Sequence, residues 1–183
     1  IGGSDQWGNI VSGIDLVRRH LGKEAFALTM PLVTKSDGTK FGKSASGAIW
    51  LDAQKTSPYS FYQFWLNTAD ADVEPFLKLF TFLTEEEVAA LARETLDHPE
   101  LREGQRRLAR EVTQLVHGED ALKSAERISE CLFAGEVAGL QEADLAQLQQ
   151  DGLSSSICEP GTGLLTAMVG ANLVKSTGEA RKL

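Results

Sequence analysis

Within its first 33 residues this chain presents a strand end, a glycine turn, a helix and a second strand, an order that few folds accommodate. Residues 1–3 read as the close of a strand running into Gly2-Gly3. Over residues 9–20, Ile10, Ile14, Leu16 and Val17 recur at a mostly helical spacing. Arg18, Arg19 and His20 fall in the last turn, where cations suit the helix dipole, and Gly22 stops it. Residues 27–33 are apolar and bounded by turn residues, which predicts a buried strand. The run Lys35-Ser36-Asp37-Gly38-Thr39 is turn chemistry, sharpest at Asp37-Gly38. Residues 48–51 read as a further short strand.

Beyond Ser57 the pattern becomes helical. Ser57-Pro58 is an N-cap followed by proline at the first helical position, with Phe61, Phe64 and Trp65 along one face. A short helix from about residue 72 buries Phe76, Leu77, Leu79 and Phe80. Thr84 with Glu87 three residues later is a capping box that opens a helix reaching residue 96. Longer helices are expected over 101–117, with Leu108, Val112, Leu115 and Val116 inward, and over 119–133, with Leu122, Ala125, Ile128 and Leu132 inward. A small helix follows at 142–150. Residues 154–163 are a linker by composition, and two helix starts come after it, at Leu164 and at Ser176.

A chain of 183 residues can bury a real core in one or two domains. No apolar run approaches the roughly 18 residues of a membrane span, and the Gly-rich start lacks the basic flank of a signal peptide. Cys131 and Cys158 have no metal-ligand spacing and read as reduced thiols, which suits the cytoplasm. The net charge of −8 is uneven: residues 1–60 carry seven Lys/Arg against five Asp/Glu, residues 61–150 eight against eighteen. A general nucleic-acid binder carries the opposite balance, so any RNA contact has to use local basic faces. The start at Ile1, directly on a motif, and the stop within a helical pattern lead us to expect a piece of a longer protein.

Two elements carry chemistry. In Gly2-Gly3-Ser4-Asp5-Gln6-Trp7-Gly8-Asn9 the small residues permit close backbone approach, and an acid and an amide can grip a polar ligand. Some thirty residues on, Lys40-Phe41-Gly42-Lys43-Ser44 sets two lysines on a loop punctuated by Gly38 and Gly42. Asp5 can accept from the vicinal hydroxyls of a ribose, or it can serve as an N-cap for the helix that follows. Gln6 can donate to a carbonyl or phosphate oxygen, and Trp7 reads as core. Lys40 and Lys43 can neutralise phosphates and the charge of a departing pyrophosphate, or they can sit on a solvated hairpin. Read together, the two elements describe a site for a nucleotide, ribose at one and phosphates at the other. A P-loop is a poor fit: three residues separate Gly38 from Gly42 where four are needed, and the residues after Lys43 read as turn and strand. His20, His98 and His117 form no metal cluster. Arg106, Arg107 and Arg110 share one helix, as a solvated face or an RNA-facing one.

The same two elements resemble the signature and the KMSKS-type motif of bacterial tyrosyl-tRNA synthetases, class I aminoacyl-tRNA synthetases. Pro31-Leu32-Val33-Thr34-Lys35, Thr56-Ser57-Pro58-Tyr59, Phe61-Tyr62-Gln63-Phe64-Trp65 and Leu115-Val116-His117-Gly118 extend the likeness over nearly the whole chain. The resemblance implies ATP-dependent activation of tyrosine to tyrosyl-adenylate and transfer to tRNA(Tyr). It places Gly3 and Asp5 on the ribose, Gln6 at the carboxyl and α-phosphate, Leu32 and Val33 beside the adenine, and Lys40, Lys43 and Ser44 on the pyrophosphate. Arg18 and Arg19 fall where the family approaches the tRNA acceptor stem. The implied architecture is an α/β remnant plus mostly α. Residues 1–55 end a Rossmann-like catalytic domain, 56–150 form a helical anticodon-side tRNA-binding domain, and 151–183 are a linker and the start of a small RNA-binding domain. Mg2+ would accompany ATP with no protein-bound metal, and the complete enzyme would be a cytoplasmic homodimer. Phe41-Gly42 stands in place of Met-Ser, a variant familiar in this family, but the family's HIGH motif is absent, so this chain alone is expected to be inactive. The competing expectation is a non-catalytic RNA- or protein-binding module of the same ancestry.

Overall fold

A computed structural model describes residues 1–41, 49–153 and 155–182. The chain divides into two compact units, Ile1–Ala48 and Ile49–Leu183.

In the first unit, strand β1 (Gly2–Gly3) leads through a 3₁₀ turn (Ser4–Gln6) into helix α1 (Trp7–Leu21), and strand β2 (Thr29–Met30) follows. The strands pair in parallel, Gly2 with Thr29 and Gly3 with Met30. Parallel neighbours need a crossover, and α1 supplies it. Gly22 takes the left-handed conformation, φ 61°, and its N–H closes on Arg18 O, so α1 ends where the sequence pattern predicts. After β2 the chain doubles back. Thr34 bridges Lys40, Phe41 N–H donates to Val33 O, and Asp37 accepts from both Thr39 N and Thr39 Oγ1. Those bonds hold the Asp37 carboxyl below its ordinary pKa.

Two expectations fail in this unit. The 27–33 strand shrinks to two residues, and Leu28 and Met30 are more than half exposed. Trp7 is 53% exposed, not core, and Phe26 is 91% exposed. One helix on two short strands can cover only part of one sheet face, so apolar side chains remain without a facing layer.

The second unit is helical. The strand expected at 48–51 is absent over the described residues 49–51. Residues 49–57 instead form turns, with Trp50 N–H donating to Thr56 Oγ1 and the Lys55 ammonium 4.5 Å above the Trp50 ring. Helix α2 (Pro58–Leu66) starts as predicted, the Ser57 hydroxyl accepting from Ser60 N–H. It is followed by α3 (Asp70–Phe80), α4 (Glu85–Asp97) with both arms of its capping box formed, α5 (Glu103–His117) and α6 (Glu119–Ala134). Helix α7 (Glu142–Gln150) comes next, and then α8 (Leu164–Gly170) and α9 (Thr177–Ala180) pack on each other.

The core lies between α2, α3, α5 and α6, where Phe61, Val73, Leu77, Leu108, Ala109, Ala125 and Ile128 are at most 1% exposed. Trp65 stands edge-on to Phe61, Phe64 and Phe76 and tilts against Phe80. His117 meets the Phe61 ring edge at 4.8 Å, and burial lowers its pKa. Leu79, Leu115 and Leu132, expected inward, are 53%, 58% and 41% exposed. Each lies in the last turn of its helix, beyond the stretch that the core covers.

Gly104 shows how closely the helices approach. A methyl group there would overlap Thr95 Oγ1 on α4 and come within 2.7 Å of Val73 Cγ1 on α3. Gly104→Val should therefore destabilise the helical unit by about 1–3 kcal/mol through overpacking, read as a shifted urea midpoint at constant slope. An unchanged midpoint would show that α5 can move outward without cost.

Candidate functional site

The glycine pair and the first lysine meet within the first unit. Gly3 has an extended backbone, φ −70°, so no left-handed geometry requires glycine there. Space requires it: a Cβ on Gly3 would lie 2.6 Å from Asp5 Oδ1 and 2.6 Å from Leu32 Cδ2. The bare backbone of Gly3 thus sits between a carboxylate and an apolar side chain from the segment after β2. Asp5 Oδ2 stands 3.8 Å from Lys40 Nζ, with the two side chains 42% and 54% exposed.

This arrangement removes one of the two readings of Asp5. The residue before α1 is Gln6, and no side-chain cap bond forms at the start of α1 or of the 3₁₀ turn. Asp5 is not an N-cap. Its carboxylate faces Gly3 and Lys40. At 3.8 Å and half exposed, this ion pair contributes at most about 1 kcal/mol and lies beyond hydrogen-bond distance. A ligand that offered hydroxyls to Asp5 and a phosphate to Lys40 would replace it at little cost.

Of the other expected site residues, Gln6 lies in the 3₁₀ turn beside Asp5, its Oε1 accepting from Asn9 Nδ2. Leu32 is 39% exposed next to Gly3, and Val33 is half-buried at the base of the hairpin. Gly3, Asp5, Leu32 and Lys40 are therefore gathered in one place. Lys43 and Ser44 lie outside the described residues. Arg18 and Arg19 are not part of the cluster: both grip Asp15, at 2.7 Å each, at the far end of α1. That end is about 20 Å along the helix from Asp5.

The arginines of α5 line a groove of about 950 Å³ together with Tyr62, Glu126, Glu130 and Phe133. Arg107 pairs with Glu87 and Glu111, and Arg110 with Glu126. Carboxylates thus offset much of this basic face. Among the described residues no group of three or more His, Cys, Asp and Glu could hold a metal ion, and no helix is long and apolar enough to cross a membrane.

A parallel strand–helix–strand unit in which a glycine, a carboxylate and a lysine are drawn together precedes a helical unit in the chain. The family model for "tRNA synthetases class I (W and Y)" matches residues 1–134, and the chain belongs to that family. Within it, the chain is similar to the tyrosine–tRNA ligase of Escherichia coli strain 55989, at 57% identity over 182 residues. That match covers all of this chain and 43% of the relative, so the chain spans less than half the length of the curated relatives it matches. Two solved structures are also similar, both C-terminally truncated fungal mitochondrial tyrosyl-tRNA synthetases. The Coccidioides posadasii enzyme has a TM-score of 0.54 at 34% identity, covering 68% of this chain and 37% of that one. The Aspergillus nidulans enzyme has the same TM-score at 32% identity, covering 72% and 39%.

That the glycine pair and the lysine loop share one site was expected from sequence; that Asp5 and Lys40 pair directly was not. Thirty-five positions separate them, and no periodicity links such a pair.

Proposed function

We propose that this chain is part of a tyrosine–tRNA ligase that activates tyrosine with ATP and transfers it to tRNA(Tyr). The observation that carries the reading is the Asp5–Lys40 juxtaposition over the bare backbone of Gly3. Asp5 and Gly3 hold the ribose, Gln6 orients the reacting carboxyl and α-phosphate, and Leu32 and Val33 border the adenine. Lys40, with Lys43 and Ser44, stabilises the departing pyrophosphate, and Mg2+ enters with ATP. Residues 1–55 complete a Rossmann-like catalytic domain, residues 56–150 contact the anticodon side of the tRNA, and residues 151–183 lead into a small RNA-binding domain. Arg18 and Arg19 serve the acceptor stem, and the complete enzyme works as a cytoplasmic homodimer.

The test is ATP–pyrophosphate exchange, measured on the complete protein and on the 183-residue polypeptide. Exchange by the complete protein should depend on tyrosine and not on tryptophan. The 183-residue polypeptide should show none, because it lacks the HIGH motif and with it half of the ATP site. Tryptophan-dependent exchange, or none in the complete protein, would overturn the assignment. Exchange by the short polypeptide would show that the site is self-sufficient.

A further inference from the structure

Gln6 is the residue from which α1 starts, and its side chain is held at both ends. A Cβ added at Gly2 would lie 3.4 Å from Gln6 Cβ and 3.8 Å from Gln6 Cγ, so the aliphatic stem rests against the bare backbone of β1. At the head, Asn9 Nδ2 donates to Gln6 Oε1 at 3.1 Å. Asn9 is the third residue of α1, and the helical spacing of three sets it beside Gln6. The two glycines therefore serve different side chains: Gly2 makes room for Gln6, and Gly3 for Asp5.

A primary amide accepts at its oxygen and donates at its nitrogen, so the partner of one end decides what the other end offers. Asn9 engages the oxygen of Gln6. The Nε2 hydrogens are left for a ligand. Carboxylate and phosphate oxygens only accept, so a donor facing them is the productive arrangement. Turned over, Gln6 would set a carbonyl oxygen against an anion. A glutamine without restraint also has many rotamers, and fixing it beforehand removes that ordering from the reaction.

We infer that Asn9 is a positioning residue for Gln6: it fixes the amide so that N–H, and not C=O, meets the anionic oxygens of the reacting groups. The inference rests on the reading of Gln6 as the group at the carboxyl and the α-phosphate. Asn9 acts through Gln6 alone.

The experiment uses the complete enzyme and single-turnover adenylate formation at saturating tyrosine and ATP, where ground-state binding does not enter. Gln6→Ala should slow the step by about 10–100-fold, the loss of a hydrogen bond to a charged group. Asn9→Ala frees the amide and should slow the step about fivefold. Asn9→Asp offers Gln6 acceptors only, which draws Nε2 away from the ligand, so it should slow the step about as much as Gln6→Ala. A carboxylate in the first turn suits the helix dipole, so that loss would not come from a weakened α1. In a Gln6→Ala background neither Asn9 change should slow the reaction by more than about twofold. Equal rates for Asn9→Ala and Asn9→Asp would overturn the inference. So would an Asn9→Asp loss that persists in full without the Gln6 side chain, which would assign it to the added charge. If Gln6→Ala leaves the rate unchanged, the reading of Gln6 falls and this inference with it. If Gln6→Ala slows the reaction while both Asn9 variants match the parent, the inference alone falls.

Discussion

Lys43→Ala in the complete enzyme should slow adenylate formation by about 10²–10³ and weaken ATP binding far less. As the α-phosphate is attacked, negative charge gathers on the departing pyrophosphate. An ammonium aimed at that charge interacts more strongly with the transition state than with bound ATP. Groups of this kind contribute about 2.7–4 kcal/mol by mutagenesis precedent, which is the rate loss expected. Lys40→Ala should act in the same direction and also free Asp5 from its ion partner. Single-turnover rates at saturating ATP make the measurement. An equal loss in kcat/KM and in ATP affinity, with kcat intact, would mean that the lysine holds the ground and transition states equally and does not speed the chemical step. An unchanged rate would remove Lys43 from the chemistry.

Asp144→Ala should cost the helical unit about 3 kcal/mol of stability, the lower end for a broken buried ion pair. Asp144 is fully buried and accepts from Ser124 Oγ, from Arg127 Nε and Nη2, and from Gln141 N–H. Without it, Arg127 loses its carboxylate partner, although its 30% exposure lets water recover part of the loss. Hydrogen bonds from Arg127, then from Ser124 and Gln141, outweigh burial and hold the Asp144 carboxyl at about 2, below its ordinary 3.8. A depressed carboxylate pKa adds stability that is complete above pH 3.8 and is lost as pH falls toward 2. That window corresponds to about 2 kcal/mol. Urea unfolding of the parent and of Asp144→Asn should therefore show a gap near neutrality that closes between pH 4 and pH 2. A gap that persists unchanged to pH 2 would show that the charge of Asp144 contributes nothing.

Local code settled most of the helix boundaries. Ser57-Pro58, the Thr84–Glu87 box, Gly22, Gly118 and the 142–150 helix all act within a few residues of themselves, through caps and turns whose partners are sequence neighbours. The motif residues were likewise visible, because glycine pairs and paired lysines are rare and carry their chemistry in their side chains. Burial was different. Trp7, Leu79 and Leu115 are apolar and fit a helical period, yet they are exposed, since which part of a stripe is covered depends on what packs against it. The short strands failed for the same reason: an apolar run becomes a long strand only when neighbouring strands satisfy its backbone.

From sequence alone came the helix starts and stops, the two motifs and the likeness to a synthetase. Only the folded chain showed that Asp5 turns toward Lys40 instead of capping its helix, and that α7 reaches back to hold Ala53, Ser57 and Tyr59. The reason is separation. Caps and turns are contacts between neighbours in the chain, whereas an ion pair across 35 positions and a clamp across 90 exist only once helices have packed and strands have paired.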